Sequence, residues 1–193
     1  MQFAADGLVL AGGMARRMGQ NKAALPYDAS TNLAQHARDT LRNTVSGAIW
    51  VSRPLTWINP RETDIVDTVD HQGPLHGILQ GLNRAEHDWL AVLAVDCPNV
   101  PPELFQTLYA TRRPGDEVVV PYFGDITQPL AALWSKALRN PITAQLDAGQ
   151  FKVGMLLNRV IVQYVRVADA DWLVNLNTMT DWERWQRTTG GRL

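Results

Sequence analysis

Gly7-Leu8-Val9-Leu10-Ala11-Gly12-Gly13-Met14-Ala15-Arg16-Arg17-Met18-Gly19-Gln20-Asn21-Lys22 decides the fold. It starts as a continuous apolar run, without the alternation of a half-solvated strand, so it reads as a strand covered on both faces. Two glycines then let the backbone turn tightly and present its N–H groups to an anion. Two arginines and a lysine follow at once, which suits the neutralisation of a polyphosphate. The stretch is neither a Walker loop, since Gly-x-x-x-x-Gly-Lys-Ser/Thr is absent, nor the dinucleotide pattern Gly-x-Gly-x-x-Gly.

Similar apolar runs recur downstream: Gly47–Val51, Trp89–Val95 and Glu117–Val120. Stretches of helical spacing separate them. Leu33, Ala37, Thr40 and Leu41 share one face; Leu75, Ile78, Leu79 and Leu82 share a second. Pro102, Phe105, Leu108 and Tyr109 share a third, with Pro101 and Pro102 suited to a helix start. Strand and helix in alternation predict an α/β chain, a three-layer α/β/α sandwich around a mostly parallel sheet. Further on, Gln128–Trp134 and Val160–Val167 read as strands, with a helix between them over about 135–146. A terminal helix is expected over Asp181–Trp185, capped by Thr180, with Trp182 and Trp185 packed on the core.

The chain has 193 residues, 46% hydrophobic and 19% charged, which predicts a single domain over 1–193 with a real core. A formal net charge of -1 argues against a dedicated nucleic-acid binder. The apolar runs are too short to span a bilayer, and no membrane association is expected. One cysteine, Cys97, excludes a disulfide framework within the chain. A cytoplasmic protein is the expectation.

Asp96 follows the strongest predicted strand at its carboxyl end, where open α/β sheets bind ligands. Its hard carboxylate suits Mg2+ on a nucleotide, and Pro98 and Pro101 stiffen the loop behind it. Cys97 reads as a packing residue. Lys22 is one of only three lysines, with Lys136 and Lys152, and offers a mobile point charge for a reacting phosphate. Asp64 to Asp70 carries carboxylates at a strand end that can accept from a base or a ribose hydroxyl; Asp70 is equally a loop or cap residue. Asn175 and Asn177 share a side if extended, as a pair of hydrogen-bonding amides or as turn formers. Gly73 and Gly77 flank a helix start and would allow a base to approach closely. His36, His71, His76 and His87 show no metal-ligand spacing with a carboxylate partner.

Leu-Ala-Gly-Gly-x-x-x-Arg-Met-Gly-x-x-Lys over 10–22 resembles the opening signature of the molybdenum cofactor guanylyltransferases, a branch of the nucleotidyltransferases with a Rossmann-like fold. Gly73–Ile78, Val95–Pro101, Gln128–Trp134 and Val174–Thr178 are similar to later segments of that family, in the same order. The resemblance implies transfer of GMP from GTP to molybdopterin with Mg2+ and release of pyrophosphate. It implies phosphate stabilisation by Arg17 and Lys22, metal binding by Asp96, and nucleotide or pterin contacts from Leu10, Ala11, Gly12, Gly13, Ser52, Asp67, Asn175 and Asn177. Molybdoenzymes or their chaperones would be transient partners. Three positions depart from the pattern: Tyr27–Asn32 replaces a Gly-x-Pro, Ser52-Arg53 stands for Asn-Arg, and Asn21 stands where an acid is common. The rival readings are a transferase using CTP or a sugar phosphate, and a nucleotide-binding regulatory protein without turnover.

Overall fold

The computed structural model describes residues 1–11, 22–54, 64–67 and 73–188. Among the described residues, eight strands form one sheet and six α-helices flank it; the strands are β1 (Asp6–Leu10), β2 (Ile49–Pro54), β3 (Asp64–Asp67), β4 (Trp89–Ala94), β5 (Val118–Phe123), β6 (Ile126–Thr127), β7 (Ala131–Ser135) and β8 (Val162–Arg166). The helices are α1 (Leu33–Arg42), α2 (Gly73–Arg84), α3 (Pro102–Thr111), α4 (Arg139–Asp147), α5 (Val153–Leu157) and α6 (Met179–Thr188). The half of the sheet ordered β3-β2-β1-β4 is parallel throughout. β7 then runs antiparallel between β4 and β5, and β8 lies parallel to β5 on its other side. The fold is the expected α/β/α sandwich with a mostly parallel sheet.

The layers follow from side-chain alternation. Leu8, Val9, Leu90, Ala91, Val92, Val118, Val119 and Val120 are fully buried, as continuous apolar runs require when both sheet faces are covered. On β1, Gly7 packs against Leu41 of α1, whereas Leu8 packs against Gly81 of α2, so these helices lie on opposite faces. The faces expected for α1 and α2 are the buried ones; α3 buries Leu104 with Phe105 and Leu108, while Pro102 and Tyr109 stay partly exposed. At the amino end of β1, buried Asp6 accepts from the backbone N–H of Ala48, Glu86 and His87 and pairs with His87 Nδ1 at 3.1 Å. His87 therefore does have a carboxylate partner, supplied by a distant strand that its sequence neighbours do not reveal.

Several expectations shift. Gln128–Leu130 forms a turn and only Ala131–Ser135 is strand, because Pro129 offers no N–H to a ladder. The helix expected over 135–146 is a short 3-10 turn, Lys136–Leu138, followed by α4. α5 was not foreseen; five residues give too little periodicity to read. The cap of α6 is Thr178 and not Thr180: Thr178 Oγ1 accepts from Asp181 N–H at 3.1 Å, and Asp181 accepts in return from Thr178 N–H at 2.8 Å. Trp185 is buried and Trp182 packs on the core, as expected.

Candidate active site

β1 and β4 are neighbours in parallel register, Leu10 opposite Ala94, so both chains leave the sheet at the same edge. The ladder continues briefly past them. Val95 N–H donates to Leu10 O at 3.1 Å, and Ala11 N–H donates to Ser52 O at 2.8 Å. Leu10, Ala11 and Ser52 are all buried here, close under the sheet edge. Gly12, Gly13, Arg16 and Arg17 lie outside the described residues, as do Asp70 and His71. Asp67 ends β3 opposite Pro54, two strands away from β1 at the same edge.

Lys22 resumes the chain as a 3-10 turn, Lys22–Ala24. Its ammonium donates to Leu176 O at 2.7 Å and stands 3.7 Å from Asp96 Oδ2. Leu176 N–H donates to Asp96 O at 2.8 Å. Leu176 thus ties three distant segments together: the loop after β1, the loop after β4, and the extended stretch before α6. Sequence reading named the two asparagines around it and missed this residue. The available signal was a single apolar side chain between two amides, and Leu176 is indeed buried. Asn177 is exposed. Asn175 is half-buried, and its Oδ1 is sheltered without a hydrogen-bond partner.

Asp96 is mostly withdrawn from water. Burial pushes its carboxyl above the ordinary carboxylate range, while the Lys22 ammonium and the Cys97 thiol, 3.7 Å from Oδ1, pull it back. Cys97 is buried, and desolvation together with the Asp96 charge pushes its thiol well above its ordinary value. It is a protonated packing residue, not a nucleophile. The loop that follows is braced by two side chains as well as its prolines. His36 Nε2 lies 3.0 Å from Pro98 O, and Trp185 Nε1–H donates to Asn99 Oδ1 at 2.8 Å. His36 is in turn stacked on Tyr27, ring centroids 3.5 Å apart.

Gly73 and Gly77 lie in the first turns of α2, as expected. Gly73 has a positive φ of 70°, where a side chain would be strained, and starts α2. Gly77 is buried: a Cβ there would stand 2.7 Å from Ser52 Oγ and 2.9 Å from Leu10 Cδ2. Its small size lets α2 approach the sheet.

A divalent metal fits this donor set in one way. No cluster of three or more His, Cys, Asp or Glu exists among the described residues. One half-buried carboxylate, Asp96, offers a hard oxygen ligand, as a nucleotide-borne Mg2+ requires when phosphates complete its shell.

The MobA-like NTP transferase domain matches residues 7–167. This chain belongs to that family. A Bacillus cereus (strain B4264) protein named "Probable molybdenum cofactor guanylyltransferase" is 32% identical over 193 residues, covering 94% of this chain and 95% of its own. The molybdopterin-guanine dinucleotide biosynthesis protein A of Archaeoglobus fulgidus shares the fold with a TM-score of 0.76 at 21% identity, over 95% of this chain and 98% of that one. A Mycobacterium tuberculosis protein solved in complex with manganese shares it with a TM-score of 0.69 at 18% identity, over 95% and 98%. Membership of the MobA-like family makes the chain a nucleotidyltransferase, as the phosphate-binding reading of its first loop implied. No described helix is long and apolar enough to cross a membrane.

Proposed function

We propose that this protein is a single-domain enzyme that transfers GMP from GTP to molybdopterin and releases pyrophosphate. The observation that carries the proposal is the meeting of Lys22, Asp96 and the Asn175–Leu176 stretch at the carboxyl ends of β1 and β4. The likeness to the B. cereus relative supports the choice of substrates.

In this reading the nucleotide lies over Leu10–Gly13, Ser52 and Asp67, and the pterin lies toward Asn175 and Asn177. The phosphate of molybdopterin is already an anion, so attack on the α-phosphorus needs no general base. Catalysis is positioning plus charge neutralisation. Lys22 neutralises the phosphates, the role proposed for Arg17 as well. Lys22 is prepared for this: its hydrogen bond to Leu176 O holds the ammonium without neutralising it. Asp96 would hold Mg2+, which when bound supplies neutralisation of the developing phosphate charge. The sheltered Asn175 carbonyl oxygen is free to accept from a pterin N–H. The loop braced by His36 and Trp185 keeps Asp96 in place as charge redistributes. Molybdoenzymes or their chaperones would meet the protein only transiently, to receive the product.

Pyrophosphate release measured with each nucleoside triphosphate in turn, with and without molybdopterin and Mg2+, tests the reading. Release with GTP that depends on molybdopterin is expected. Equal or better use of CTP would overturn the guanine assignment, and GTP binding without release would make the protein a non-catalytic binder.

A further inference from the structure

We propose that the buried Arg53–Asp64 ion pair is a positioning device for nucleotide selection: it fixes the register of β3 against β2 and thereby the place of Asp67. The inference rests on the reading of the protein as a GTP-using transferase.

Three observations lead to it. First, β3 has only four residues and, among the described residues, pairs with β2 alone at one end of the sheet. So short a parallel ladder specifies its register weakly through hydrogen bonds. Its Asp-Ile-Val-Asp sequence brings only two apolar residues to help. Second, Arg53 is 1% exposed, among the largest fully buried side chains, and its Nε stands 2.8 Å from Asp64 Oδ2. Third, the register sets Arg53 opposite Val66, so Asp64, two residues earlier, projects on the same face.

A slip of one residue would send Asp64 to the other face, away from the buried guanidinium. Breaking a buried pair in this way is strongly unfavourable, and fixing register is the best-attested use of such pairs. With the pair intact, Asp67 falls opposite Pro54, at the edge where Leu10 and Ala94 also end. In the proposed reading Asp67 contacts the nucleotide, so its place on this four-residue end strand depends on an ion pair three residues upstream. Arg53 stands where the family resemblance places an arginine after the second strand; its partner, Asp64, could be identified only in the folded chain.

The test is steady-state kinetics of Asp64→Asn and Asp64→Glu, well below their melting temperatures, with GTP and ATP. Asp64→Asn is expected to raise KM for GTP about ten- to hundredfold and to lower the GTP-over-ATP preference by a similar factor, with kcat at saturation within about threefold. Asp64→Glu keeps the carboxylate and should recover most of both. If Asp64→Asn does not fold, Arg53→Lys carries the test, with smaller changes of the same kind, and Asp64→Glu remains the control. A variant that melts lower yet keeps KM and nucleotide preference would show that the pair only supports the fold, and would overturn the proposal. If the wild type prefers another nucleotide, the guanine reading fails by itself. The same KM shift, read with the preferred nucleotide, then decides the inference.

Discussion

Replacing Lys22 by methionine removes a charge while keeping an unbranched apolar stem. In the native structure the ammonium lies 3.7 Å from Asp96 Oδ2, with only 16% and 23% of the two side chains exposed. At that separation and an effective dielectric constant near 20, the attraction is about 4 kcal/mol. It offsets part of the cost of holding the Asp96 carboxylate away from water. Two effects follow from one substitution. Losing one charged donor to the reacting phosphates should lower the single-turnover rate about 10²–10³-fold, equivalent to roughly 3–4 kcal/mol. This loss should appear in kcat more than in KM, because the interaction is made mainly in the transition state. The second effect is on pH. Burial already raises the Asp96 carboxyl and Lys22 opposes that rise, so without Lys22 it rises further. A reaction that needs ionised Asp96 must then lose rate at a higher pH on its acid side. Rapid-quench measurement of guanylyl transfer over a pH series reads both, and Lys22→Arg, which keeps the charge, should restore the acid limb more fully than the rate. A near wild-type single-turnover rate would refute Lys22 as a phosphate ligand. A rate loss without movement of the acid limb would refute its coupling to Asp96.

Asp96→Asn should abolish transfer and yet leave the protein at least as stable at neutral pH. The folded carboxyl is raised above 3.8 by burial, so the native state holds its proton longer than the unfolded chain and stability falls as pH rises from 3.8 through the folded value. Melting temperatures of both proteins in metal-free buffer should diverge in favour of the variant across that window; a variant that melts lower at neutrality would contradict the assigned cost of burial. Gly77→Ala sets two effects against each other: alanine favours a helix by about 1 kcal/mol, but the added Cβ would meet Ser52 Oγ at 2.7 Å and Leu10 Cδ2 at 2.9 Å. Overpacking typically costs about 1–3 kcal/mol, so denaturant unfolding should show net destabilisation, and a stabilised variant would mean that α2 can shift.

Much of this protein was legible in its sequence because burial on both faces of a sheet leaves a local mark. Gly7–Ala11, Gly47–Val51, Trp89–Val95 and Val118–Val120, which mark β1, β2, β4 and β5, are uninterruptedly apolar, and the inward faces of α1 and α2 carry their apolar residues at helical spacing. Lys22 and the aspartate past β4, which the sequence singles out for phosphate and metal chemistry, are brought together in the folded chain. Tertiary structure decided what depends on residues far apart in the chain. The reversal of β7 between β4 and β5 is a matter of pairing, and nothing in Ala131–Ser135 states its direction. Thr178 displaced Thr180 as the cap of α6 because the reciprocal bond with Asp181 fixes where the helix begins. Lys22 and Leu176 meet across 154 positions, and Leu176 matters through its backbone carbonyl, a group every residue possesses. The Asp6 clasp and the Arg53–Asp64 pair are buried charges whose partners lie on other elements, and only a folded chain can show that each is paired.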